Sequence, residues 1–163
     1  VAPGIAILYA MLHEAEPYGV THEMAVGMGY QHEWDAALES LKAMHKRGVR
    51  ILPGGDYGFA MTPHCQNARV LEFFVRYLGF TPAEAIRSAT FLGGQIMKRG
   101  DDLRLIREGY LADLLLIDGD PLANLAILRE PDRILAVMKD GVFAKTPPIA
   151  EQRRWERAAE RVA

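Results

Sequence analysis

The feature that most constrains the fold is an amphipathic helix that leads through one glycine into a buried strand. Residues 33–47 carry apolar side chains at steps of three and four, the period of a helix with one buried face. Gly48 is a typical C-terminal cap, and residues 49–53 then read as a strand. An apolar run at residues 4–9 has the length of a strand buried on both faces. These segments predict a β-α-β unit with parallel strands.

A sheet of two parallel strands is not stable by itself, so this unit requires further strands. The chain begins Val1-Ala2-Pro3-Gly4 without a methionine and enters apolar sequence at once, whereas natural termini more often begin in polar sequence. We therefore expect a piece of a larger protein, with a processed natural terminus as the alternative. Residues 10–32 contain three glycines and are predicted to form a long irregular loop with at most a helical turn.

The rest of the chain changes from helices to strands near residue 99. Helices are predicted at residues 68–78 and from Pro82 to about Lys98, the second with Thr81 as N-cap and Glu84 closing a capping box. Strands are predicted at residues 113–118 and 133–139, followed by a hairpin turn at Asp140-Gly141 and a charged helix at 150–163.

Composition excludes several classes of function. The net charge is −2 and there is no long basic run, so neither nucleic acid nor an acidic membrane is an expected partner. The single cysteine, Cys65, rules out an internal disulfide and fits a reducing cytoplasm. No apolar stretch reaches the length of about 18 residues that indicates a membrane span.

Chemistry is most easily placed where the strand at residues 49–53 ends in Gly54-Gly55-Asp56. Active sites of α/β sheets and barrels lie at the carboxyl ends of their strands, and glycines let the backbone approach a ligand or metal closely. An isolated aspartate at a strand end is more often a cap or a turn former. The local pattern alone therefore leaves the role of Asp56 open.

Four stretches in order add context to this aspartate. They are GVRILPGGD at 48–56, TPAEAIRSAT at 81–90, REGYLADLLLIDGDPL at 107–122 and RILAVMKDGVF at 133–143. Together they resemble the closing part of the amidohydrolase superfamily, in its imidazolonepropionase-like and dipeptidase-like branch. The resemblance covers residues 33–145. One departure is Gly55, where the family usually has threonine or serine.

The resemblance implies an α/β fold: the C-terminal part of a (β/α)8 TIM-type barrel plus part of a small β-sandwich composite domain. The domains expected from it are the last barrel strands and helices at residues 1–99 and the sandwich part at 100–147, and the charged sequence after them is predicted to form a C-terminal helix at 148–163. It implies a metal-dependent hydrolase of C–N bonds in an amide, urea, carbamate or cyclic amidine. Asp56 would be both a metal ligand and the catalytic proton shuttle.

The cofactor implied is a divalent metal, one or two zinc ions, that activates water. Most of its ligands would come from earlier strands, so this chain alone is expected to be inactive. The expected partners are a small-molecule substrate, the missing N-terminal part of the same protein and further copies in a homo-oligomer. Two alternatives remain open: a catalytically inactive amidohydrolase-like scaffold, and a small stand-alone α/β binding module.

Other side chains have weaker claims. His64 and Tyr57 are predicted to bind substrate, because both follow Asp56 in the same loop, and Phe59 could line the same pocket. The five histidines lack the His-x-His and His-Glu-x-x-His spacings of metal sites. His45 lies at a helical position beside the core and is expected to be structural. Cys65 adjoins His64, but neighbouring residues rarely adopt the geometry of a nucleophile and its base.

Overall fold

Helices dominate the first two-thirds of the chain, and a small antiparallel sheet follows. The computed structural model describes residues 1–148. Its α-helices are Ile5–His13 (α1), His22–Gly27 (α2), Tyr30–Lys46 (α3), Arg69–Phe73 (α4), Pro82–Ala89 (α5) and Phe91–Ile96 (α6). A π-helix, Phe74–Leu78, continues α4, and short 3-10 helices span Glu16–Tyr18, Leu125–Arg129 and Pro131–Arg133. The strands are Leu114–Ile117 (β1), Ile134–Lys139 (β2) and Val142–Lys145 (β3).

Two extended segments, residues 1–4 and 50–54, lie side by side in parallel. The terminal ammonium group of Val1 donates to the Arg50 carbonyl at 2.9 Å, and the Leu52 N–H donates to the Val1 carbonyl at 2.8 Å. Gly4 and Gly54 form a parallel bridge. The predicted parallel pair is therefore present as one bridge with flanking hydrogen bonds rather than as a regular ladder.

The predicted strand at residues 4–9 is wrong, because this run begins α1. A short apolar run does not distinguish a buried strand from a buried helix. Here the helix is apolar on most of its surface because α2, α3 and α4 pack around it. The irregular loop predicted at residues 10–32 is also wrong, since the end of α1, a 3-10 turn, α2 and the start of α3 occupy it. Thr21, whose hydroxyl accepts from the Met24 N–H at 3.2 Å, caps α2.

The other helices agree better with the sequence. The helix predicted at 33–47 is α3, and the one predicted at 68–78 is α4 with its π-helical continuation. The capping box of Thr81 and Glu84 is complete at the start of α5. The helix predicted to reach Lys98 is instead interrupted at Thr90, and α6 follows it and ends at Ile96.

The sheet has the order β1-β2-β3 with antiparallel pairing throughout, which confirms the predicted strands and hairpin. Leu114 pairs with Met138 and Leu116 with Ala136. Leu125, from the 3-10 helix that precedes β2, belongs to the same buried cluster as Ile5 and Phe74. The connection between β1 and β2 therefore packs on the core of the helical part. The helix predicted at 150–163 lies outside the described residues.

Within residues 1–148, no helix is both long enough and apolar enough to cross a membrane.

Candidate functional site

Asp56 lies where the two parallel segments end. A Cβ atom placed on Gly4, the last residue of the first segment, would be 3.5 Å from the Asp56 Cβ. The Asp56 side chain is exposed, and within residues 1–148 its carboxylate has no hydrogen-bond or ion-pair partner. The backbone here is left-handed, with φ +52°. Such a conformation is uncommon outside glycine, and aspartate is one of the residue types that adopt it most often.

The loop after Asp56 closes on itself. The Thr62 hydroxyl donates to the Asp56 carbonyl oxygen at 2.9 Å, and the Gly58 N–H donates to the Thr62 carbonyl at 2.8 Å. The Thr62 N–H donates in turn to the Phe59 carbonyl at 3.1 Å. These hydrogen bonds close residues 56–62 into a compact turn at the end of the extended segment. No sequence signal marked Thr62, because its partner is a backbone atom.

Tyr57 packs against the position where this chain departs from the family pattern. A Cβ atom on Gly55 would lie 2.0 Å from Cε2 of the Tyr57 ring, so any larger residue there requires the ring to move. The Tyr57 hydroxyl donates to the Gln66 carbonyl at 3.2 Å. Burial raises the pKa of the Tyr57 phenol, and the nearby Arg69 guanidinium opposes the rise. The hydrogen bond of Tyr57 thus connects the two ends of the segment 57–66.

His64 is exposed at the far side of the same loop. Its Nε2 atom would lie 3.5 Å from a Cβ on Gly58, so the imidazole stands beside the turn that holds Asp56. It lines a shallow cavity of about 440 Å³ together with Cys65, Gln66, Ala126, Arg129 and Glu130. Phe59 is also exposed. Cys65 is exposed and, like Asp56, has a left-handed backbone, with φ +70°.

An ion pair that the sequence does not reveal joins the start of α4 to the end of α1. Arg69, at the start of α4, forms a bidentate pair with Glu14, which directly follows α1. Its guanidinium carbon lies 5.1 Å from the centre of the Tyr9 ring and 5.0 Å from that of Phe73. Hydrogen bonding to Arg69 lowers the pKa of the Glu14 carboxyl. The two partners are 55 residues apart, a separation that no local pattern reveals.

The residues fit one position of a metal site and no more. A carboxylate oxygen is a ligand that zinc and harder divalent metals accept, and that of Asp56 is exposed and unpaired among the described residues. In the described part of the chain, no three His, Cys, Asp or Glu side chains are grouped so that they could hold a metal. A metal held by Asp56 would therefore need further ligands from outside residues 1–148.

Three of the other four histidines, His13, His22 and His45, have contacts of their own, and the fourth, His32, is exposed. His45 stacks on Phe80 with ring centres 3.7 Å apart, in keeping with the structural role expected from the sequence. His22 shares a hydrogen bond of 2.9 Å with the Leu12 carbonyl through Nδ1 and stacks on His13. These contacts account for the three imidazoles without any role at Asp56.

Comparison with known proteins places the chain in a family. The model of the Amidohydrolase family matches residues 35–144, which is more than half of the sequence. The chain belongs to the amidohydrolase family. The match includes Asp56, the capping box at Thr81 and the sheet from β1 to β3. The chain is an α/β member with a small antiparallel sheet.

Similar proteins include ochratoxinase of Aspergillus niger, 33% identical over 120 residues, which are 71% of this chain and 23% of that protein. The crystal structure of A. niger ochratoxinase matches with a TM-score of 0.71 and 28% identity, covering 90% of this chain and 32% of that one. A prolidase complexed with N-methylphosphonate-L-proline matches with a TM-score of 0.74 and 25% identity, covering 90% and 35%. The chain thus spans about a quarter of the length of the curated relatives it matches.

Proposed function

We propose that this chain supplies one ligand and the proton-transferring carboxylate to a metal-dependent hydrolase of C–N bonds. The observation that carries the proposal is the placement of Asp56. It is an exposed, unpaired carboxylate at the point where two parallel segments end, within the region that matches the amidohydrolase family. Carboxyl ends of parallel strands are where α/β barrels carry their chemistry.

The proposed architecture is the one implied by the sequence resemblance. Residues 1–99 would belong to the end of a (β/α)8 barrel, residues 100–147 to a composite β-sandwich, and residues 148–163 to a C-terminal segment. The parallel bridge of Gly4 and Gly54 supports the first assignment, because a bridge of this kind needs neighbouring strands to form a stable sheet. The three-stranded antiparallel sheet supports the second.

Asp56 would hold a divalent metal, which we propose to be zinc, and would move a proton. When bound, the metal supplies a nucleophile near neutral pH by lowering the pKa of water. The Asp56 carboxylate accepts a proton as the scissile carbon is attacked, and it returns that proton to the departing nitrogen. Because the carboxylate is not engaged by other described residues, it is free to carry a proton between these positions.

The substrate proposed is a small molecule with an amide, urea, carbamate or cyclic amidine bond, and an amide of an amino acid is the first choice. Support comes from the similarity to a prolidase complexed with N-methylphosphonate-L-proline. His64 and Tyr57 are proposed to bind this substrate. His64 would do so through its exposed imidazole, and Tyr57 through its ring, because its hydroxyl is already bonded to Gln66.

The test uses the full-length protein, loaded with zinc and assayed with alanyl-L-proline and N-benzoyl-L-phenylalanine. Hydrolysis that disappears on removal of the metal and in Asp56→Asn supports the proposal. An Asp56→Asn protein that folds and hydrolyses either probe like the wild type contradicts the role of Asp56. A wild-type protein that retains metal and hydrolyses no C–N bond in a broad panel would favour an inactive scaffold. The homo-oligomer and the cytoplasmic location stay predictions.

A further inference from the structure

Thr62 is buried although it is polar. Its exposed fraction is 3%, and Ser88 is the other polar residue that is buried in the described part of the chain. A buried hydroxyl without a partner is unfavourable, and that of Thr62 is bonded to the carbonyl oxygen of Asp56 at 2.9 Å. The hydrogen bond therefore satisfies the hydroxyl and, at the same time, fixes the peptide group of the candidate catalytic residue.

The backbone of Asp56 needs such a restraint. Its φ of +52° lies in the left-handed region, which aspartate adopts more readily than most residues but which still costs free energy that surrounding contacts must offset. Neighbouring bonds already tie Thr62 to the loop through the Gly58 N–H at 2.8 Å and the Phe59 carbonyl at 3.1 Å. The Thr62 hydroxyl thus lies on a turn that backbone hydrogen bonds hold, and it restrains the peptide group that follows Asp56.

We propose that Thr62 is a positioning residue for Asp56: its buried hydroxyl holds the strand-end aspartate in the left-handed conformation that aims the carboxylate at the reacting atoms. The proposal deepens the proposed function and depends on it. It assigns to Thr62 no contact with substrate or metal. Loss of the hydroxyl should therefore affect turnover and metal retention more than substrate affinity.

The experiment compares Thr62→Val with Thr62→Ser in the full-length, zinc-loaded protein. Valine keeps the shape of threonine and removes the hydroxyl, whereas serine keeps the hydroxyl. Thr90→Val is the control for loss of a threonine hydroxyl, because the Thr90 hydroxyl also donates to a backbone carbonyl, that of Ile86 at 2.9 Å, but Thr90 is exposed and lies between α5 and α6. The assay measures kcat and KM on alanyl-L-proline or N-benzoyl-L-phenylalanine, whichever the wild type hydrolyses.

We expect Thr62→Val to lower kcat by roughly 10- to 100-fold with KM changed by less than about 2-fold, the size of effect that a misplaced catalytic group produces. Thr62→Ser should recover most of the loss, and Thr90→Val should match the wild type. A second readout does not need turnover: after dialysis against a zinc chelator, Thr62→Val should retain less zinc than Thr62→Ser. If valine prevents folding, Thr62→Ala takes its place in the same comparison.

The outcomes separate this inference from the proposed function. If Asp56→Asn is inactive while Thr62→Val has the kcat and zinc retention of the wild type, the role of Thr62 is refuted and that of Asp56 stands. If Thr62→Ser loses as much as Thr62→Val, the hydroxyl is not what matters, and the inference is again overturned. If Asp56→Asn is fully active, the proposed function fails and the inference fails with it.

Discussion

Asp56 and Asp113 both lie next to extended segments, and the structure treats them in opposite ways. Asp113 precedes β1 and accepts from the Lys139 side chain at 2.6 Å and from the Asp140 N–H at 2.7 Å. The Lys139 hydrogen bond lowers the pKa of the Asp113 carboxyl. Asp56 has no such partner among the described residues, yet its backbone is held by Thr62. One aspartate is secured by its side chain and the other by its main chain.

The difference shows how a structural carboxylate can be told from a candidate catalyst of the same residue type. The Asp113 carboxylate accepts its hydrogen bonds from the end of β2 and from the turn between β2 and β3. Asp56 keeps both carboxylate oxygens available. The loop that follows it is held by the hydrogen bonds of Thr62 and Tyr57, and the Glu14–Arg69 ion pair holds the start of the helix after the loop. A preorganised site requires this arrangement, in which hydrogen bonds hold the backbone while the functional group of the side chain stays available.

The largest difference between Asp56 and Asp113 is expected when each carboxylate is exchanged for an amide. In the full-length protein, Asp56→Asn should lower kcat by on the order of 10²- to 10⁴-fold without altering the thermal midpoint. Asp113→Asn should leave kcat unchanged and lower the midpoint slightly, because it loses the charged partner of Lys139. Kinetics and thermal unfolding of the two variants measure both effects. Equal losses of kcat would remove the distinction between the two residues.

The free energy of unfolding should depend on the ion pair of Glu14 with Arg69. The Glu14 and Arg69 side chains are 35% and 16% exposed, so Glu14→Gln leaves a partly buried guanidinium without its charge partner. We expect a loss of about 1–3 kcal/mol in the free energy of unfolding. Glu72→Gln is the matched control, since the Glu72–Arg129 pair, 30% and 37% exposed, is worth about 0–1 kcal/mol. If denaturant unfolding shows a larger loss in the free energy of unfolding for Glu72→Gln than for Glu14→Gln, then Arg69 does not need its charge partner.

The same ion pair predicts a dependence of stability on pH. Arg69 lowers the pKa of the Glu14 carboxyl below its ordinary value of 4.5 in the folded state. The unfolded chain then binds more protons than the folded chain as the pH falls below that value. The stabilisation is therefore complete above pH 4.5 and is lost as the pH falls through the folded pKa. Unfolding curves of Glu14→Gln should show a weaker decline in this range than the wild type; parallel curves would speak against the pair.

A smaller effect is expected at Gly55. Alanine there requires the Tyr57 ring to move, which should break the Tyr57–Gln66 hydrogen bond and cost about 0.5–1.5 kcal/mol. Tyr57→Phe removes the same bond without displacing the ring and is the control. If Gly55→Ala is as stable as the wild type, the contact of Tyr57 with Gly55 does not explain the departure from the family pattern.

Much of the fold was predictable because its signals are local. The period of α3, the capping box of α5 and the Asp140-Gly141 turn are each written within a few residues. The identity of α1 was not, since a run of apolar residues becomes a helix or a strand according to what packs around it. Its surroundings come from α2, α3 and α4, which the sequence does not place in space.

The candidate site was predictable only in part for a related reason. Asp56 stood out once the motifs downstream of it were considered together, because family patterns mark reacting groups. The bonds that hold it do not form patterns. Thr62 acts on a carbonyl oxygen, and Arg69 finds Glu14 across 55 residues. Such contacts depend on the tertiary arrangement and become visible with the structure.

The most direct test of the account is the location of the metal in the full-length protein, determined by anomalous X-ray diffraction at the zinc edge. We expect an ion that has an Asp56 carboxylate oxygen as a ligand at about 2.0–2.2 Å and other ligands from residues that precede this chain. An ion bound with full occupancy and out of contact with Asp56 would contradict it.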